Sequence, residues 1–163
     1  MHSDADQHEA QNGSPVSDGF TLLELCIVLG IISILASLAI PAMQHYIYRA
    51  QIGRAVAEIR MLEKKMTIFY NETEGSSYPP SLNAIDEAGI TDPWGNPYRY
   101  QPISGAIPGQ VRKDRFLVPL NSDYDLYSVG RDGKSQPPLT AAASRDDIVR
   151  ANNGEFVGLA QHF

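Results

Sequence analysis

Apolar and polar residues fall into three regimes along the chain. Residues 25–43 (LCIVLGIISILASLAIPAM) are apolar apart from two serines, and no Asp, Glu, Lys or Arg occurs from residue 25 to residue 48. Such a run meets the roughly 20 residues needed to cross about 30 Å of hydrocarbon. It is also more than one helix of a 163-residue soluble domain can bury. In the second regime Ile52, Ala55, Val56, Ile59, Leu62, Met66 and Phe69 recur at three- and four-residue spacing, which predicts an amphipathic helix with one apolar face. Arg54 and Glu58 stand four apart on its polar side. Only Gly53 weakens the pattern between residues 44 and 70, by about 1 kcal/mol relative to Ala. The two regimes therefore predict one helix over 20–70, kinked where Pro41 removes a donor. At 1.5 Å per residue it would reach roughly 75 Å, so its first half needs lipid or other subunits around it.

The third regime is globular. A short helix is expected over 80–88, with Ser81 placed to cap it and Gly89 just past its end. Asp92-Pro93-Trp94-Gly95-Asn96-Pro97 is dense in turn residues. Three short strands are predicted over 98–103, 115–120 and 124–129, separated by a Gly/Pro loop and an Asn-Ser-Asp turn that favour antiparallel pairing. From Gly130 onward the chain reads as loop, with one helical turn around 146–151. The fold class is α+β: a long N-terminal helix packed on a small antiparallel sheet of about three strands.

Composition sharpens this picture at both ends. Residues 1–19 hold four acids (Asp4, Asp6, Glu9, Asp18), no Lys or Arg, and little that could enter a core, which predicts disorder. The formal net charge of −6 leaves no excess of bases to replace phosphate counterions, which argues against a nucleic-acid groove. A single cysteine, Cys26, excludes an intrachain disulfide framework and a zinc site of the usual Cys/His kind. No Ser/His/Asp or Cys/His grouping suits catalysis: His2 and His8 precede the apolar run, His45 borders it and His162 is penultimate. An enzyme is therefore not expected.

Glu24 stands at the head of the apolar run. An ionisable group costs about 2.5–3.5 kcal/mol at the centre of a membrane helix, so a partner is expected. The first basic side chain, Arg49, would lie more than roughly 35 Å up the helix. A glutamate simply reaching the interface from the helix end is the alternative.

The string Gly19-Phe20-Thr21-Leu22-Leu23-Glu24, followed by an uninterrupted apolar helix, resembles the leader-cleavage motif of the type IV pilin and pseudopilin superfamily. The resemblance implies that a prepilin peptidase cuts between Gly19 and Phe20 and methylates Phe20. It implies that Glu24 pairs with the new N-terminal ammonium of a neighbouring subunit, and that Pro41 is the family's helix-kinking proline. Two later stretches, Asp92–Tyr98 (DPWGNPY) and Tyr124–Gly133 (YDLYSVGRDG), are similar to the signature of the major pseudopilins of type II secretion. In that subfamily calcium organises the loop after the last strand. Carried over, the Val129 carbonyl and the Asp132 carboxylate match ligand positions, and Asp146 or Asp147 would add a second carboxylate, oxygen donors that suit the ion. The family's glycine- and glutamate-rich loop is replaced here by Lys134–Thr140 (KSQPPLT).

The organisation implied is a cleaved leader (1–19), a transmembrane or filament-core half-helix (20–43) and a periplasmic pilin-like domain (44–163). Cleavage takes away four acids and no base, leaving 15 acids against 13 bases, near-neutrality that eases packing of many copies. By the positive-inside rule Arg49, Arg54, Arg60, Lys64 and Lys65 would hold their flank in the cytoplasm, whereas the family topology places it outside. The function expected is a subunit that polymerises into a periplasmic pseudopilus of a type II secretion system. Its partners would be further copies of itself, the prepilin peptidase, minor pseudopilins, the inner-membrane assembly platform and membrane lipid, with no nucleic acid. Its place would be the bacterial inner membrane as a single-pass protein, then the filament. A type IV pilin or minor pilin for adhesion, motility or DNA uptake is the near alternative. A membrane-anchored periplasmic binding module is the distant one.

Overall fold

The computed structural model describes residues 19–107 and 109–163. The expected disorder of residues 1–18 lies outside them. Helix α1 (Leu22–Glu72) runs without interruption through Pro41, over nearly the span that the apolar pattern predicts. The chain divides into two compact units, Met1–Ala42 and Met43–Phe163, so α1 contributes a segment to each.

In the second unit, four strands form one antiparallel sheet in sequence order: β1 (Arg99–Pro102), β2 (Tyr124–Ser128), β3 (Ile148–Ala151) and β4 (Phe156–Leu159). Alternation along the strands builds two layers. Tyr100, Tyr124, Leu126, Ile148, Val157 and Leu159 pack with Ala55, Ile59, Leu62 and Met66 of α1, and Ile52, Val56 and Phe69 flank them. The helical spacing of the second regime therefore marks the core face. On the opposite face Val149, Ala151, Tyr127 and Phe156 are covered by Leu120 and Leu139 from irregular segments and by Ala160 from a short 3-10 turn.

Arg150 ties the helix to the sheet. It projects from β3 on the α1 face with 4% of its surface exposed, and its Nε donates to Glu63 Oε1 at 2.7 Å. Its other nitrogens donate to both carboxylate oxygens of Asp123, at 2.7 Å each, while its guanidinium stacks on the Tyr124 ring. Such bidentate, stacked geometry is specific to Arg. Arg54 and Glu58 pair as their spacing predicts, and Glu58 also accepts the Tyr98 hydroxyl hydrogen at 2.7 Å.

The tail and two local elements depart from expectation. The strand expected over 115–120 is a tight turn: Asp114 Oδ1 accepts the amide hydrogens of Phe116 and Val118, and Leu117 adopts φ 62°. The aspartate side chain offers this backbone a local alternative to a ladder. The helical turn expected around 146–151 is strand β3, buried along its whole length between β2 and β4, which favours its β-branched pair Ile148-Val149 as strand. The sheet thus has four strands where about three were expected. The helix over 80–88 shrinks to a 3-10 turn at Leu82–Ile85 with no side-chain cap from Ser81, closed by Asp86 in the left-handed region at φ 59°.

Candidate processing, assembly and metal-site residues

The N-terminal candidates sit on an uncovered helix. Gly19 and Phe20 precede α1, and the Phe20 side chain is 90% exposed. Glu24 closes a capping box with Thr21: Thr21 donates its amide and its hydroxyl hydrogen to Glu24 Oε2, each at 2.9 Å. In return Thr21 Oγ1 accepts the Glu24 amide hydrogen at 3.1 Å. Two otherwise orphaned amides of the first turn are satisfied in this way. The T-x-x-E spacing carries that signal in the sequence, although an expectation of a charged partner for Glu24 overlooks it. Among the described residues Glu24 forms no ion pair, so its charge is held by hydrogen bonds within its own turn. Beyond it Leu29, Ile32, Leu38 and Met43 are all more than half exposed, and α1 is the one described helix long and apolar enough to cross a membrane.

The two downstream motifs form one connected structure. Asp92 is buried and its Oδ1 accepts the amide hydrogens of Trp94 and Asn96, which shapes the DPWGNP turn. Asp92 Oδ2 accepts the Ser128 hydroxyl hydrogen, and Asn96 Nδ2 donates to the Gly130 carbonyl at 2.9 Å, so the turn is fastened to the end of β2. Trp94 is placed against α1, its Nε1 donating to Gln51 Oε1 at 3.1 Å. These roles are structural, as the turn signal suggests.

The four candidate metal ligands do not converge. Asp132 and Asp146 meet: Asp146 Oδ2 accepts the Asp132 amide hydrogen at 3.0 Å, while Asp132 Oδ1 accepts that of Lys134 at 2.8 Å. Val129 lies beside them through Gly130, which has φ 66° and where a Cβ would fall 2.4 Å from the Asp146 carbonyl oxygen. Only glycine fits such an approach. Asp147 points elsewhere. It is fully buried, and its Oδ2 accepts from Arg112 Nη2 and from the Ser135 hydroxyl, each at 2.6 Å. Burial pushes its carboxyl up to about 6, against the pull of Ser135 and Arg112. Among the described residues no three His, Cys, Asp or Glu side chains group as a metal site. Calcium takes six to eight oxygens. Of the set Val129, Asp132, Asp146 and Asp147, Asp147 stands apart: its Oδ2 is committed to a guanidinium, while its buried Oδ1 has no hydrogen-bond partner among the described residues, and Asp146 is the carboxylate that neighbours Asp132.

Burial holds the phenols of Tyr98, Tyr100 and Tyr124 well above their ordinary range; Glu58 adds to the effect at Tyr98, and Asp123 at Tyr100.

No family model matches the chain, and no solved structure does. Curated relatives do. The type II secretion system core protein G of Aeromonas hydrophila is 30% identical over 159 residues, covering 85% of this chain and 94% of the relative. The protein of the same name from Dickeya chrysanthemi is 33% identical over 143 residues, covering 83% and 87%. A fimbrial protein of Pseudomonas aeruginosa is 56% identical, but over 45 residues and 28% of the chain. A helix whose first half is uncovered and whose second half carries a four-stranded sheet, with identity of this extent, places the chain in one family: it belongs to the type II secretion system core protein G family, the major pseudopilins.

Proposed function

We propose that this chain is a structural, non-enzymatic subunit that polymerises into the periplasmic pseudopilus of a type II secretion system. A prepilin peptidase removes residues 1–19 and methylates Phe20. The apolar half of α1 is held in the inner membrane, with the sheet domain on the periplasmic side, and then moves into the core of a helical homopolymer. Minor pseudopilins and the inner-membrane platform act on it during that transfer.

The observation that carries this reading is the uncovered apolar run behind Glu24. Leu22, Leu25, Leu29, Ile32, Leu35 and Leu38 each keep more than half of their surface exposed, and nothing among the described residues covers them. In lipid that surface is satisfied, but Glu24 is left with Thr21 alone. Cleavage after Gly19 creates an α-ammonium at the same depth, and a neighbouring copy brings it to the carboxylate. The similarity to a fimbrial protein covers too little of the chain to favour an adhesive pilin over a secretion pseudopilin.

The test is assembly of Glu24→Ala. Membrane insertion is expected to survive, because an ionisable group leaves the apolar segment. Filament formation is expected to fail, since an unpaired buried ammonium costs about 3–5 kcal/mol. Membrane fractionation and electron microscopy of sheared filaments read the two outcomes separately. Filaments at the parent's yield would remove the reading's main physical support, and unprocessed mass in assembled material would remove the cleavage step.

A further inference from the structure

Arg112 stands in the irregular layer over the outer face of the sheet and is 3% exposed. Its guanidinium lies over the Tyr127 ring, 4.4 Å from the centroid. Around it, Nη2 donates to Asp147 Oδ2 at 2.6 Å, and Nη1 donates to the Ser135 hydroxyl and the Gln136 carbonyl. The backbone on either side takes part as well. The Arg112 amide donates to buried Asp125, Lys113 donates to the Pro137 carbonyl, and Leu139 donates to the Lys113 carbonyl. The segment before β2 is thereby stitched to the loop that joins β2 to β3.

We infer that the Arg112 guanidinium is the built-in cation of this loop, doing through Asp147, Ser135 and Gln136 what a bound divalent ion would do through a set of converging oxygens. Both arrangements answer one physical need. A loop of 19 residues, 129–147, lies between β2 and β3 and ends at fully buried Asp147, whose charge requires a cation out of water. A guanidinium is fixed covalently to the chain, is charged at every accessible pH and stacks on an aromatic face, so it needs no supply of metal. The inference concerns the stability of the tail and stands apart from the assembly reading above.

The experiment is thermal unfolding of the full chain in detergent micelles, with calcium chloride or with a chelator, for the parent, Arg112→Met, and the double variant Arg112→Met/Asp147→Leu. The parent is expected to melt at the same temperature with calcium and with chelator. Arg112→Met strands a buried carboxylate and should melt lower by about 10 °C or more, or fail to fold. The double variant removes both charges and should regain most of that loss. A parent melting temperature that climbs with calcium overturns the inference and returns the role to a metal at Asp132 and Asp146. It is equally overturned if Arg112→Met melts like the parent, or if the double variant is no better than the single.

Discussion

The two segments of α1 obey opposite rules in one unbroken helix. In the first, Leu22 is 82% exposed and Leu38 69%; in the second, Ala55, Ile59, Leu62 and Met66 are fully buried. The first is apolar around its circumference and the second on one face only. All-round apolarity calls for a solvent or partner that is apolar all round. A single stripe calls for one surface, which the chain's own sheet supplies. Secondary structure is therefore indifferent to the division of labour, and the pattern of side chains decides which segment folds within the subunit and which waits for company.

The sharpest way to separate the two is alkaline pH. Burial raises the phenols of Tyr98, Tyr100 and Tyr124, so the folded sheet domain holds their protons more tightly than an unfolded chain does. Stability from this source is complete below about pH 10 and is lost as pH rises beyond it. The domain should unfold cooperatively there, with phenolate absorbance rising together with the loss of tertiary signal. Residues 22–42 contain no tyrosine, and their helical signal in micelles should persist. Next in size is Arg150→Met, which leaves Glu63 and Asp123 without their shared cation; a loss of about 3–5 kcal/mol is expected in denaturant unfolding, with insertion of the apolar half unaffected.

Leucine truncation compares the segments directly. Leu62→Ala should cost the domain about 2–5 kcal/mol, whereas Leu29→Ala, at a position 55% exposed, should leave the domain's unfolding midpoint unchanged. Equal losses at the two sites would erase the distinction drawn between the segments. The smallest effect belongs to the capping box. Thr21→Val removes the side-chain oxygen that accepts the Glu24 amide hydrogen and should weaken the first turn by about 1 kcal/mol, seen as faster amide exchange confined to residues 22–25.

How far the sequence was legible follows from the range of each signal. Helical spacing is local and repeats over many turns, so the buried face from Ile52 to Phe69 could be read residue by residue. Strand β3 could not, because four residues are too few to show a period, and its Arg150 counts as core only once Glu63, 87 positions earlier, is known to receive the guanidinium. Arg115–Leu120 failed for the converse reason: its apolar residues resemble a strand, yet Asp114 bends the backbone back on itself, so Pro119 makes only an isolated bridge to Lys113 and no ladder extends. In the candidate site, Asp132 and Asp146 meet beside Gly130, the residue after Val129. Asp147 is elsewhere because Arg112, 35 positions away, claims it, and no local spacing announces such a pairing.

The position of Arg150 also sets a timetable for folding. Strands β3 and β4 span Ile148–Leu159, made well after α1, yet they supply Ile148 and Leu159 to the layer against α1. Residues 55–66 are made roughly 80 positions earlier, and contacts so distant in sequence form slowly. Until then Tyr98, Tyr124 and Leu126 can cover only part of the amphipathic stripe of α1, and the rest exposes the apolar surface that makes unfinished chains prone to aggregate. Quality control in this chain amounts to a wait for β3 and β4: halted before residue 148, a nascent chain would present two sticky surfaces, the all-round apolar run and the incompletely covered stripe, where the folded domain leaves only the first.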